Sequence, residues 1–420
     1  MQDWQALIRK RDFPMIAKGE CGGRPMVYLD NAATAQCPRP VLWALENYWQ
    51  EQHANVHRGV YCRSSQATAA MEQTRQHVAE FLGAASAREI VFTQGTTDGI
   101  NLLASAFGEA AVQPGDLVLS TEMEHNSNLL PWLEVCRRRG ASLELVPITD
   151  AGELDREALD RLLERRPKLL AVCAVSNVLG TVNPLEEIIR CAHQAGAAVA
   201  VDAAQALRHE LPPVSALDCD FLCFSGHKLM GPTGIGVLYG KAEWLERLSP
   251  ARYGGGMVRS MDWPEIEYEE IPGRFEAGTP NLSGIAGLGA ALEYLQAVGR
   301  RRIAAYEADL LRYAEAKLRG IPGIQVLGAP ARRAGVLSMV LPPLQPYDAA
   351  VLLDKKGFAL RSGRQCADLL HSRLGISGSL RLSPAFYNTR EEIDALTEAF
   401  AEILAVSRRA GIPVGEARNG

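Results

Sequence analysis

Between about residue 66 and residue 224, stretches with helical periodicity alternate with short unbroken apolar runs. In QATAAMEQTRQHVAEFLG, Met71, Val78, Phe81 and Leu82 share one helical face, the spacing of a helix that covers a core. The runs that follow are EIVFT (89–93), DLVLS (116–120), SLELV (142–146), LLAVCAV (169–175), AAVAV (197–201) and DFLCF (220–224), with a helix predicted over about 98–107. Runs without polar alternation are expected of strands buried on both faces, as in a parallel sheet between helices. The pattern predicts an α/β domain. Tyr253 to about Glu270, with glycines at 254–256, interrupts it and reads as a loop. Past Gly278, a helix over about 283–297 and a long helix rich in Arg, Ala and Leu lead into GIQVL, GVLSMVL, GFALR and SLRLS. These are mixed with helices near 347–355 and 390–407 and predict a smaller α+β domain. The expected division is an N-terminal segment over 1–24 packing on the small domain, a large domain over 25–275, an interface helix and small domain over 276–410, and a frayed tail over 411–420.

Charge narrows the function classes. The 44 basic and 49 acidic residues are well mixed and sum to −5, which provides no field for nucleic acid or an anionic membrane. No apolar run reaches the length of a membrane span. The first residues, MQDWQALIRKRDFP, carry charges where a secretory signal needs its apolar stretch, so a cytoplasmic protein is expected. Nine cysteines without a CxxC pair or metal-like spacing argue for reduced thiols, not a disulfide framework.

Ligands of open α/β sheets bind beyond the carboxyl ends of the strands, and polar residues collect there. EIVFT runs into QGTTDG, placing Thr96 and Thr97 at a helix start; DLVLS leads to His125, LLAVCAV to Asn177 and AAVAV to Asp202. DFLCF delivers Ser225, His227 and Lys228. Each alone fits a cap or a loop contact, but five strand ends converging on one rim need another account. A pyridine-type cofactor would use the whole set. A carboxylate keeps the ring nitrogen protonated, an imidazole stacks on the ring, an amide holds its hydroxyl, hydroxyls at a helix start hold its phosphate, and a lysine forms the Schiff base.

At this point the chain resembles class V, fold type I pyridoxal-phosphate enzymes, and within them the cysteine desulfurases of the SUF and CSD type. The resemblance rests on an ordered series: YLDNAATAQ (28–36), NVHRG (55–59), FTQGTTDGINLLA (92–104), EHNSNLLPW (124–132), SNVLGTVNP (176–184), VDAAQA (201–206), FSGHKLMGPTGIGVLYG (224–240), FEAGTPN (275–281), RSGRQCA (361–367) and YNTREEID (387–394). It implies that Lys228 is the Schiff-base lysine and that Asp202 pairs with the pyridinium nitrogen. It makes His125 the stacking residue and acid/base, and places Asn177 and Gln205 near the ring hydroxyl. Thr97, Ser225 and His227 match phosphate ligands, with Thr96 adjacent. Thr279 matches a residue that reaches the phosphate of a neighbouring subunit, which implies a homodimer.

Cys366 stands apart from the other cysteines. Cys37, Cys136, Cys173, Cys191, Cys219 and Cys223 fall in or beside apolar segments, where buried inert thiols are expected. Cys366 lies between turns that bear glycine and arginine, and Arg361 and Arg364 are candidates to favour its thiolate. The resemblance makes Cys366 the nucleophile that takes sulfur from L-cysteine as a persulfide, releasing alanine. It makes Arg381 the grip on the substrate carboxylate, with Arg361 assisting; a guanidinium fork suits a carboxylate as lysine does not. It further implies sulfur delivery to a SufE-like acceptor protein or small thiol, for iron–sulfur cluster assembly. The chain departs from the pattern at Gln365, where histidine is usual, at Leu369, where proline is usual, and at Arg364. Alternative readings are a selenocysteine lyase, a class V aminotransferase or epimerase without persulfide chemistry, and a non-catalytic cofactor-binding scaffold.

Overall fold

The apolar runs become strands of one seven-stranded sheet. The computed structural model describes residue 7, residues 9–209 and residues 211–409. Its main sheet comprises β1 (Ile90–Thr93), β2 (Leu117–Thr121), β3 (Ser142–Val146), β4 (Leu169–Cys173), β5 (Ala198–Asp202), β6 (Phe221–Ser225) and β7 (Gly236–Gly240). Their order across the sheet is β1-β7-β6-β5-β4-β2-β3. Only β7 runs antiparallel to its neighbours; the remaining adjacent pairs are parallel. Every residue of β1, β2, β4, β5, β6 and β7 is buried, which is why their sequences lack alternation. The edge strand β3 is exposed or half-buried up to Val146. The α/β expectation holds, with a change of detail that matters: β5 ends on Asp202 and β6 on Ser225, so these polar residues are the last rungs of strands and not the first residues of loops.

Two elements depart from the sequence reading. The stretch GVLYG forms β7, hidden in the sequence behind a run of glycines. Within the segment read as a loop from 253 to about 270, Val258–Asp262 and Glu265–Tyr268 pair as an antiparallel hairpin. Its residues are almost all exposed, so no buried face imposes a period on its sequence. The long helices lie close to their predicted spans, at Cys62–Leu82, Thr96–Ala111, Leu282–Val298 and Arg300–Arg319.

A second, four-stranded antiparallel sheet orders Gln325–Val326, Leu337–Val340, Ser379–Leu382 and Arg361–Gly363 side by side. Helices Pro346–Lys355 and Arg390–Arg409 belong to the same region. The start of the chain returns to it: Val27–Tyr28 pairs in parallel with Phe358–Ala359, and the ring of Phe13 packs on those of Phe386 and Tyr387. The tail over 411–420 lies outside the described residues. Leu222, fully buried in β6, illustrates what holds the strand that leads to Lys228. Truncating such a leucine to alanine costs about 2–5 kcal/mol and loosens the support of the lysine turn.

Candidate active site

Parallel pairing aligns the carboxyl ends of β4, β5 and β6: Cys173 is opposite Asp202, and Asp202 opposite Cys223. The chain then leaves β6 through a short helical turn, Gly226–Lys228, and returns as β7 with Gly236 opposite Ser225. Gly236 cannot carry a side chain here, since a Cβ would lie 2.5 Å from the Gly95 Cα and the Phe224 carbonyl oxygen. The two residues bring β7 against the start of helix Thr96–Ala111.

A cavity of about 260 Å³ opens over these strand ends. It gathers Thr96, Thr97, His125, Asn177, Asp202, Gln205, Ser225, His227 and Lys228 with Arg361, Cys366 and Arg381 from the smaller sheet and its loop. Thr279 is the one predicted site residue it does not hold: that side chain lies on separate grooves, beside Arg58, Arg75 and Gly256 and beside Asp98 and Arg252. A larger surface groove of about 840 Å³ beside Trp43 and Tyr294 contains none of the predicted residues, so chemistry and not size marks the site.

One end of the cavity is built for an anion. Ser225 Oγ accepts from Thr96 N at 2.7 Å and lies 2.8 Å from Thr96 Oγ1. Thr97 Oγ1 pairs with Ser127 Oγ at 2.7 Å. Gly95, not a threonine, occupies the position before the helix, with no side-chain cap. The hydroxyls therefore surround first-turn N–H groups that have no partner within the helix, the arrangement that binds phosphate. His227 completes this end, 3.3 Å from Thr34 Oγ1. Burial and then the charge of Lys228 pull its pKa to about 4, so it is neutral at pH 7.

At the centre, burial lowers the pKa of Lys228 to about 8 against the opposing attraction of Asp202. The amine is still mostly protonated at pH 7, but far more of it is neutral than in an ordinary lysine, as a Schiff-base lysine requires. Asp202 is buried, and its Oδ1 accepts from Ala204 N at 2.8 Å. Burial raises its pKa while Lys228 draws it back. Burial, with Lys228 and Arg381 adding, holds the His125 pKa at about 4. Its Nδ1 accepts from Ser127 N at 3.1 Å, which leaves the proton of the neutral ring on Nε2.

The far end comes from the smaller sheet. Arg381 is almost fully buried; its Nη1 donates to Asn177 O at 2.9 Å and its Nη2 contacts Asp30 Oδ1 at 3.2 Å. Its buried Nε has no hydrogen-bond partner within the described residues, and the side chain as a whole lines the cavity. Arg361 reaches the other oxygen of the same carboxylate, Asp30 Oδ2, at 3.4 Å. The amide nitrogens of Asn177 and Gln205 go to backbone carbonyls, of Gln365 at 2.8 Å and of Ala32 at 2.8 Å.

Cys366 is exposed at the cavity edge, whereas Cys136, Cys173, Cys219 and Cys223 are buried and Cys37 and Cys191 half-buried. Gln365 and Cys366 both have left-handed backbone, at φ +46° and +53°, a conformation costing about 1–2 kcal/mol for each such residue. Asn126 N donates to Cys366 O at 2.7 Å. The arginines expected to attend the thiol both face carboxylates, Arg361 that of Asp30 and Arg364 that of Asp368 at 3.4 Å. Asp30, Ser127 and Asn126 were not predicted as site residues; Asn126 and Ser127 sit one and two residues beyond His125, where the strand-end rule would have reached them.

A buried carboxylate, an enclosed lysine, a hydroxyl-lined helix start and an unpartnered arginine nitrogen form a donor set that fits pyridoxal phosphate and an amino-acid carboxylate. Comparison with known proteins agrees. The family model "Aminotransferase class-V" matches residues 27–396. A cysteine desulfurase of Dickeya dadantii is 47% identical over 395 residues, covering 94% of this chain and 95% of the relative. One from Klebsiella pneumoniae is 46% identical, with 94% and 97% covered. Among solved structures, an apo cysteine desulfurase from Thermococcus onnurineus is 37% identical with a TM-score of 0.90, over 97% of this chain and 99% of the other. A cysteine desulfurase of Escherichia coli in S-sulfonic acid form is 37% identical with a TM-score of 0.88 over the same shares.

Proposed function

This chain belongs to the class-V aminotransferases and, within them, to the pyridoxal-phosphate-dependent cysteine desulfurases, and we propose that it converts L-cysteine to L-alanine with Cys366 as the sulfur-accepting nucleophile. The observation that carries this reading is the meeting, in one cavity, of Lys228 and Asp202 from the large sheet with Cys366 and Arg381 from the small one.

Asp202, His125, Lys228 and the hydroxyls of Thr96, Thr97 and Ser225 would hold the cofactor, which when bound supplies an electron sink for charge developed at the substrate Cα. Arg381 and Arg361 line the cavity and offer the substrate carboxylate their guanidinium groups, and Asp30 holds both arginines in place for it. Lys228, as a neutral amine, takes the Cα proton and returns one later in the reaction. The Cys366 thiolate attacks the substrate sulfur: an S–S bond forms, the substrate C–S bond breaks, and the three-carbon fragment leaves as alanine after protonation. Cys366 is left as a persulfide, to be passed to a small thiol or a SufE-like acceptor protein. Its exposure supports that hand-over. Thr279 lies away from the cavity of its own chain, which supports a homodimer in which it serves the partner's site.

The test is alanine and sulfide formation from L-cysteine by wild type and Cys366→Ala, with the visible spectrum recorded. Alanine lost in Cys366→Ala while the cofactor band persists in both supports the reading. Normal turnover by Cys366→Ala removes persulfide chemistry and favours amino-acid and keto-acid substrates.

A further inference from the structure

We propose that Gln365, Ser379 and His371 are positioning residues for Cys366: a buried polar brace holds the cysteine loop in its left-handed form. The inference rests on Cys366 being the nucleophile. Two consecutive non-glycine residues with positive φ persist only where the surroundings over-determine them. Part of the restraint comes from the large sheet's loops, through Asn177 on the Gln365 carbonyl and Asn126 N–H on the Cys366 carbonyl. Those two bonds hold the loop from one side only.

The other side is held by side chains. Gln365 is buried, and its Nε2 donates to Ser379 O at 3.1 Å while its Oε1 accepts from Ser379 Oγ at 3.0 Å. The backbone carbonyl of Ser379 fixes which way the amide faces, because only the nitrogen can donate to it. Ser379 Oγ lies 3.1 Å from His371 Nε2, and His371 Nδ1 lies 2.9 Å from Ala367 O. A carbonyl only accepts, so Nδ1 carries a proton and Nε2 of the neutral ring is an acceptor; the single hydroxyl proton of Ser379 therefore serves either Gln365 Oε1 or His371 Nε2 at any moment, and the second contact is held by packing. His371 and Ser379 are both fully buried. The chain of contacts therefore begins at the residue before Cys366, passes through strand Ser379–Leu382, and ends at the residue after it. It grips the backbone on both sides of the thiol without touching the sulfur.

An outer ring also ties the loop: Asn126 Nδ2 donates to Asp368 Oδ2 at 3.0 Å, and Arg364 faces Asp368. Arg364 and Asp368 are exposed and Asn126 is half-buried, so water and salt compete for these contacts. The inner brace has no such competition, and each lost bond there leaves a buried group unsatisfied. A loop released from it relaxes toward right-handed backbone and swings the Cys366 Cβ away from the cavity. Sulfur transfer between two held atoms depends steeply on that placement.

The experiment uses the cofactor-loaded protein and the variants Ser379→Ala, Ser379→Thr, Gln365→Met and Cys366→Ala. Steady-state alanine formation is measured with hydrogen–deuterium exchange over peptides spanning 361–372. In Ser379→Ala and Gln365→Met, kcat falls at least tenfold, KM for L-cysteine stays within about twofold, and exchange rises in those peptides alone. Ser379→Thr, which keeps the hydroxyl, restores kcat. Wild-type kcat in both cut variants overturns the brace, as does a loss that Thr does not rescue or that comes with faster exchange throughout the protein. Cys366→Ala separates the two claims. If it turns over normally, the nucleophile reading fails; if it is inactive while Ser379→Ala is not, only the brace fails.

Discussion

Replacing Lys228 by methionine is expected to stabilise the cofactor-free protein while abolishing its chemistry. Enclosure lowers the lysine pKa from 10.5 to about 8. Below pH 8 both the native and the unfolded chain hold the proton, and the native state bears the whole cost of an enclosed ammonium. Between about 8 and 10.5 the native state releases its proton first, so the cost shrinks, and above 10.5 it is gone. The full shift corresponds to roughly 3 kcal/mol at 1.36 kcal/mol per pKa unit. One feature reduces it: the side chain is only half-buried at the cavity wall; the attraction of Asp202 is already contained in the shift. A gain of about 1–2 kcal/mol at pH 7 is the expected figure. Methionine suits the test because it keeps the length and flexibility of the side chain without its charge. Urea unfolding of both cofactor-free proteins at pH 7 and pH 10 measures it, as a shift in midpoint at unchanged slope. The advantage of Lys228→Met should shrink at pH 10. A variant less stable than wild type at pH 7, or an advantage that ignores pH, refutes the argument.

Three further outcomes follow from the same geometry. The rate at which cofactor-free protein takes up pyridoxal phosphate, followed by absorbance, should rise with pH around a midpoint near 8, where the amine loses its proton; a midpoint near 10 contradicts an enclosed Lys228. Arg381→Lys should raise KM for L-cysteine about 10- to 100-fold with a smaller change in kcat, since one ammonium cannot replace a fork that already holds Asn177 O and Asp30; an unchanged KM removes Arg381 from substrate binding. Ser225→Ala strips a partner from the Thr96 N–H and hydroxyl, and should cost roughly 1–3 kcal/mol in denaturant unfolding and loosen cofactor retention on dialysis; no change in either argues that water replaces the hydroxyl.

The strands bearing Asp202 and Ser225 were legible because burial on both faces writes an unbroken apolar run into the sequence, and the polar residue that ends each run marks the rim. Strand Gly236–Gly240 was not, because the glycines that let it approach Gly95 resemble loop glycines. The exposed hairpin at 258–268 has no buried face to impose a period. Asp30 stood inside a quoted motif, but nothing local says that its carboxylate spans two arginines more than 300 residues away. The same holds for Gln365 and Ser379, whose link depends on the pairing of Arg361–Gly363 with Ser379–Leu382. Residue types and local rhythm carry the large-sheet half of the site, whereas the other partners meet only through tertiary pairing, which no local stretch encodes.

The amine and the thiol proposed to react are mounted in different ways. Lys228 sits in a connection whose ends are fastened at one rung, Ser225 opposite Gly236, so its position is as stiff as the centre of the main sheet. Cys366 is carried by another sheet and reaches the cavity across an interface of hydrogen bonds. A change in the seating of the small sheet on the large one would therefore alter the reach between amine and thiol while leaving the cofactor cradle as it was. The hold on the cofactor and the reach of the thiol thus rest on different sheets, so substitutions among the exposed residues of 361–372 act on the second before they act on the first.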